Sequence, residues 1–367
     1  MRVTITIPAI VAGGAERITV VMANDWAAKG WCVTLLTMDS GQQPPFFALH
    51  PTIVHRSLGI LNTSRNPIDA LVANQRRIAT LRKAICTSTP DVVISFMDRT
   101  NVITLLATQG LGIPVIASEQ NNPYAMQIGY VWEALRWIAY HRAARVVVQS
   151  DRLVSYFPLG VQRKTRVMPN PVSLPTGKTR GTGRERREAT YTILALGRLV
   201  RQKGFDYLLE AFSQIAHRHP QWSLEIWGEG EIRPQLEQLR DQLGLHGRAH
   251  LPGITSEPLT IMHRADLFVL SSRYEGFPTV LTEALAAGLP VIAFDCLSGP
   301  REIIRDGIDG VLVPDGNVTA LANAMDGLMS DEQARANLAA RSPEVLERFS
   351  MGRVMGMWES LIREVVS

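Results

Sequence analysis

Glu275 and Glu283 stand with seven residues between them in SSRYEGFPTVLTEALAAGLPVIAFD, residues 271–295. An apolar run ends at Ser271, a loop carries Glu275, Gly276 and Phe277, and Pro278 suits the first position of a helix. Glu283 then falls roughly a turn and a half inside that helix. Amides of the first turn, at Thr279 and Val280, lack helical acceptors and can face an anion. Two carboxylates beside an anion site repel the anion unless they accept from hydroxyls. A sugar or ribose attached to a phosphate is therefore the ligand these residue types fit. A helix with ordinary surface glutamates is the plainer reading of the same stretch.

Upstream, an apolar run at Thr192–Gly197 leads into GRLVRQKGFDYLLEAF. Arg198 and Lys203 lie between a strand and a helix predicted to begin near Gly204. Two cations there could share the charge of a diphosphate, although solvated residues in a strand-to-helix loop look the same in sequence. Near the start, Val11–Arg17 reads VAGGAER before another helical pattern. Gly13–Gly14 lets backbone amides approach an anion, and an unliganded tight turn fits equally well. The pattern is not GxGxxG, which weakens a nicotinamide-dependent reading.

These loops need a scaffold that presents strand ends. Short apolar runs alternate with helical stretches along the whole chain, the pattern of parallel α/β sheets. Strands are predicted at Val3–Pro8, Cys32–Met38, Val92–Phe96, Pro114–Ser118 and Arg145–Gln149. A second series follows at Thr192–Gly197, Ser223–Trp227, Ala249–Pro252, Leu267–Ser271, Pro290–Phe294 and Gly310–Val313. Between the series, 171–189 is rich in Pro, Gly, Thr and Arg and reads as a linker. The expected architecture is α/β: two Rossmann-like, doubly wound domains, 1–170 and 190–349, facing across a cleft. A helix at about 350–367 is expected to cross back onto the first. Ligands in such folds bind outside the carboxyl ends of the strands, where the residues above lie.

With 46% hydrophobic and 20% charged residues in 367, the chain is neither disordered nor fibrous. Cys32, Cys86 and Cys296 are odd in number and far apart, which argues against a disulfide framework or zinc site and for a reducing cytoplasm. The N-terminus reads as a first strand rather than a signal peptide. Net charge is +4, concentrated in the first half: residues 1–170 hold 17 Lys and Arg against 9 Asp and Glu.

GGAER, GRLVRQKG, the WGEGE turn at 227–231 and the Glu275/Glu283 pair within EGFPTVLTEALAAGLPVIA together resemble glycosyltransferase family 4, in order and spacing across nearly the whole chain. SEQNNP at 118–123 adds a likeness to bacterial exopolysaccharide and O-antigen enzymes. The resemblance implies a GT-B fold and retaining transfer from a nucleotide-sugar. By carry-over, Arg198 and Lys203, with amides of Gly14, Thr279 and Val280, would hold the donor diphosphate. Glu283 would bind the ribose and Ile254 would lie near the base. Glu275 and the amides of Gly276 and Phe277 would hold the donor sugar. Related enzymes often place a histidine after the fourth strand, where this chain has Gln120, an amide that cannot titrate near neutrality. No DxD sequence occurs, so no metal and no other cofactor is expected. UDP is the expected carrier, with a GDP-linked mannosyl donor as rival; an epimerase or phosphorylase of the same fold fits less well.

The basic half suits the acceptor. Residues 130–145, YVWEALRWIAYHRAAR, mix aromatics with arginines as a helix at a lipid interface does, and as an amphipathic core helix with solvated arginines also would. Arg76, Arg77, Arg82 and Lys83 form a second basic cluster. Asp98, Arg99 and Glu119, at strand ends, are candidate acceptor contacts or structural residues. The expected partner is a polyprenyl-diphosphate-linked saccharide reached from the inner leaflet, by a cytoplasmic or peripheral enzyme. A module binding membranes or nucleic acid would leave Glu275 and Glu283 without a role, and no nucleic-acid motif is visible.

Overall fold

The computed structural model describes residues 1–61, 67–172 and 190–367. The chain divides into two compact units, Met1–Pro171 with Gly352–Ser367, and Val172–Met351. Of the expected linker, 173–189 lies outside the described residues.

The first unit is built on seven parallel strands: β1 (Arg2–Ile7), β2 (Cys32–Thr37), β3 (Val54–Ser57), β4 (Val92–Phe96), β5 (Val115–Ser118), β6 (Arg145–Val148) and β7 (Thr165–Val167). Their order is β3-β2-β1-β4-β5-β6-β7. β4 is buried at every position, as expected of a strand covered on both faces by helices. β3 and β7 are absent from the sequence reading. Val-His-Arg-Ser in β3 is partly exposed throughout and β7 has three residues, so neither edge strand makes an apolar run.

The second unit has six parallel strands, β8 (Tyr191–Leu196), β9 (Trp222–Trp227), β10 (Ala249–Gly253), β11 (Leu267–Leu270), β12 (Val291–Phe294) and β13 (Val311–Val313). They are ordered β10-β9-β8-β11-β12-β13. In both sheets the order reverses beside the first strand of the series, between β1 and β4 and between β8 and β11. Loops diverge at such a switch point and leave a crevice at the carboxyl ends.

The helix expected at about 350–367 is Met351–Val366, and extended Ser350 separates it from a short helix, Val345–Phe349. Val172 donates its amide to Phe349 O at that break (2.8 Å). The longer helix belongs to the first unit. Trp358 packs on Phe96 with ring centroids 6.2 Å apart, and Glu359 pairs with Lys29 at 2.6 Å. Residues 130–145 likewise form no single helix: Tyr130–Ala139 is α-helical, Tyr140–Arg142 is a 3-10 turn and Arg145 opens β6.

Candidate active site

The loops after β8 and β11, the strands that flank the switch point of the second unit, hold the two motifs singled out in sequence. Lys203 Nζ lies 2.7 Å from Glu275 Oε1, and Ser272 Oγ donates to the same oxygen at 2.6 Å. Ser298 Oγ donates to the backbone O of Glu275 at 2.6 Å, which fixes the loop from below. Glu275 is 5% exposed, yet Oε2 has no partner among the described residues. One oxygen is thus anchored and the other is left to accept from a ligand. An ammonium carries three donors, so Lys203 keeps two beyond the one given to Glu275.

Backbone donors accompany them. The amides of Gly276, Phe277, Thr279 and Val280 find no acceptor among the described residues. The last two open the helix Thr279–Ala286, where orphan N–H groups and the helix dipole favour negative charge. Glu283 is buried on the second turn of that helix. Pro278 precedes the helix as its cap and is not its first residue.

Arg198 is held by its neighbours' backbone. Leu199 N donates to Glu229 O (2.8 Å) and Gly197 N to Trp227 O (3.0 Å), so the WGEGE turn lies against the β8 loop. Gly228 has φ +145°, and a Cβ there would fall 1.8 Å from Gly197 O. Only glycine allows this approach. Gly204, at φ +61°, meets Ser271 O in the same way, with a Cβ at 2.0 Å, and brings the β8 and β11 loops together. The Arg198 side chain is exposed and makes no ion pair among the described residues. Ile254 directly follows β10 and is 74% exposed.

Buried Cys296, beside Glu275, is no nucleophile: burial first and the Glu275 charge second push its thiol up to about 12. Among the described residues no cluster of His, Cys, Asp and Glu has the geometry of a metal site.

The remaining candidates belong to the first unit. Gly14 begins the helix Gly14–Ala28. A Cβ on Gly13 would lie 2.1 Å from Glu16 Oε2, so the chain's own carboxylate covers this helix mouth. Gln120 is buried after β5; its amide donates to Ser118 Oγ (2.8 Å), and its oxygen accepts from Gln149 and from Asn170 (3.4 Å). Gln149 and Asn170 were missed in sequence, where the only sign is an amide placed directly after an apolar strand. Met97 was missed as well. It holds φ +76° between β4 and the helix Asp98–Ala107, a strain of order 1–3 kcal/mol for a non-glycine residue.

Asp98 accepts from the amide of Arg99 at 2.6 Å. Arg99 donates to Ile128 O (3.1 Å) and stacks 5.6 Å from the Trp132 ring. Glu119 is not available to an acceptor. It is 1% exposed, accepts from Tyr140 Oη, and lies 3.5 Å from buried Arg136. Burial pushes its carboxyl up to about 7, the Asp98 charge adds to the shift, and Arg136 opposes it. The second basic cluster is also partly structural: Arg82 donates to Ala107 O (2.9 Å) and Gln109 O (2.7 Å), and Arg77 to Ile60 O (2.9 Å).

Comparison with known proteins decides the family. The model for Glycosyltransferase Family 4 matches residues 12–175 and that for Glycosyl transferases group 1 matches 183–345, nearly the whole chain between them. The chain is a family 4 glycosyltransferase of the GT-B fold. This glycosyltransferase is 27% identical over its full length to a Campylobacter jejuni enzyme, of which it covers 99%. That enzyme's name is GalNAc-α-(1→4)-GalNAc-α-(1→3)-diNAcBac-PP-undecaprenol α-1,4-N-acetyl-D-galactosaminyltransferase. It is 40% identical over 48% of its length to an exopolysaccharide phosphotransferase of Streptomyces coelicolor, but that match spans only 19% of the longer protein. In three dimensions it resembles HepE of Anabaena, solved with UDP and glucose, with a TM-score of 0.78 at 18% identity over 99% of this chain and 100% of the other.

Proposed function

We propose that this glycosyltransferase moves a hexosyl group, with retention, from a UDP-sugar to a lipid-linked saccharide during surface polysaccharide assembly. The observation that carries the donor half is the pairing at the switch point of the second unit. A cation with spare donors is tied to a carboxylate with a spare oxygen, beside four unspent amides. The fit is to hydroxyls on one side and a diphosphate on the other. HepE binds UDP on a similar fold, which supports the choice of base. The undecaprenol-linked substrate in the Campylobacter relative's name supports the acceptor class.

In this reading Arg198, Lys203 and the amides of Thr279 and Val280 neutralise the charge that builds on the departing diphosphate. Such positioned donors act most strongly where charge develops. Glu275 Oε2 and the amides of Gly276 and Phe277 orient the sugar, and Glu283 takes the ribose hydroxyls. The leaving diphosphate oxygen accepts the acceptor's proton on the face it departs from, so no protein nucleophile is required. Two cations take the place of a metal, and activity is expected to survive chelation. A GDP-linked donor is the rival within the same site.

Calorimetry with UDP, GDP and ADP, without added metal, tests the assignment on wild type and Glu283→Ala. One nucleotide should bind, and the variant should lose that binding by about tenfold or more, the effect of one strong hydrogen bond to a charged group. Equal binding by the variant, or none by wild type, overturns it.

A further inference from the structure

Lys203 stands on a short 3-10 turn, Arg201–Lys203, too brief to fix its own place by internal hydrogen bonds. The loop after β11 holds it instead. Three successive carbonyls of the turn each accept from that loop. Arg201 O takes Arg273 Nη1 (2.8 Å), Gln202 O takes the Arg273 amide (2.8 Å), and Lys203 O takes Ser271 Oγ (3.0 Å). In the other direction, Gln202 Nε2 donates to Tyr274 O at 3.0 Å. Glu275 is the next residue, so this brace ends at the two groups that meet at 2.7 Å.

Arg273 is the centre of the brace, and its guanidinium is itself aimed. Asp206, in the first turn of the helix Phe205–Ile215, accepts on both oxygens, from Nη1 at 2.8 Å and from Nη2 at 2.6 Å. The guanidinium carbon also lies 3.9 Å from the centroid of the Tyr207 ring. A planar fork can serve a carboxylate and a carbonyl together in fixed geometry, which a lysine ammonium cannot. The Arg273 and Asp206 side chains keep 19% and 34% of their surface exposed. A partly solvated pair contributes little to folding. Its value lies in placement, since a shift of about 1 Å in a positioned group can cost roughly 10²-fold in rate.

We propose that Arg273 and Asp206 are positioning residues for sugar transfer, setting the Lys203 ammonium against Glu275 and the donor diphosphate. The proposal rests on the donor reading of Lys203 and Glu275 and names what holds that pair in register. Without Arg273 the carbonyl of Arg201 loses its side-chain donor, the turn loosens, and Lys203 leaves the place where its two remaining donors meet an anion.

Calorimetry with UDP tests this in a double-variant cycle. Arg273→Ala should weaken UDP binding by about tenfold, and Lys203→Ala by at least as much. The double variant should bind no more weakly than Lys203→Ala, because Arg273 acts through that ammonium. Asp206→Asn is the milder change, keeping the shape and losing the charge, and should cost about threefold. Lysine acetylation read by mass spectrometry follows the brace without any donor. Lys203 should react about fivefold faster in Arg273→Ala and faster in Asp206→Asn, with exposed Lys83 unchanged in both. Unchanged Lys203 acetylation, wild-type UDP binding in both brace variants, or losses that multiply in the double variant would overturn the proposal. Faster Lys203 acetylation with no UDP binding by wild type would sink the donor reading and leave the brace standing.

Discussion

The loop after β5 and the loop after β11 each carry a buried glutamate touched by a cation, and they differ in what is left over. Glu275 has Lys203 at 2.7 Å and Ser272 at 2.6 Å on one oxygen, while the other has no partner among the described residues. Glu119 is gripped by Tyr140, but its cation is shared: Arg136 stands 3.5 Å away and spends its closer contacts on Glu133 at 2.6 Å. Poorly compensated burial lifts Glu119 to about 7. The same residue type in a loop after a parallel strand, at the switch point in the second unit and one strand beyond it in the first, thus keeps a free acceptor in one and is closed over in the other. Spare hydrogen-bonding capacity, more than burial, separates a binding carboxylate from a structural one.

Breaking the structural partner should have the larger effect on stability. Arg136→Met leaves Glu119 and Glu133 without their cation, and removing one member of a buried ionic cluster costs about 3–5 kcal/mol. Urea denaturation would read it; a loss below about 1 kcal/mol would mean the cluster is solvated. Lys203→Ala should do the reverse. Initial rates should fall about 10²–10³-fold, the usual effect of removing a positioned donor from a developing charge, while the urea midpoint moves little. A collapse in stability without a fall in rate per folded molecule would place Lys203 with the structural group.

Glu119→Gln sharpens the contrast through pH. The folded state raises this carboxyl from its usual 4.5 to about 7, so the native chain binds its proton more tightly than the unfolded chain does. The resulting stabilisation is complete below pH 4.5 and is lost as pH rises through about 7. Between pH 5 and 8, wild type should therefore lose up to about 3 kcal/mol relative to the variant. Parallel stability curves for the two proteins would show that Glu119 is not perturbed.

Much of the donor half was legible in sequence. The runs at Thr192–Gly197 and Leu267–Ser271 become β8 and β11 with ends moved by a residue. Glu275, Arg198 and Lys203 fall on the loops that follow them, because an apolar run punctuated by glycine and polar residues encodes a strand end locally. In the first unit the same reasoning left two readings open. Glu119 could be an acceptor contact or a structural residue in sequence, and the structure favours the second, because Arg136 and Tyr140 close over it from 17 and 21 positions away.

Sequence alone determined the strand-and-helix series, the division into two units' worth of sheet, and the order of motifs that marks the family. It also showed that residues 130–145 mix aromatics with arginines at helical spacing. Periodicity specifies which side chains share a face, but which face turns inward depends on partners distant in the chain. Glu119 and Tyr156 supply them, and only the tertiary structure could decide that Arg136 would be buried and Trp137 and Ile138 left outside.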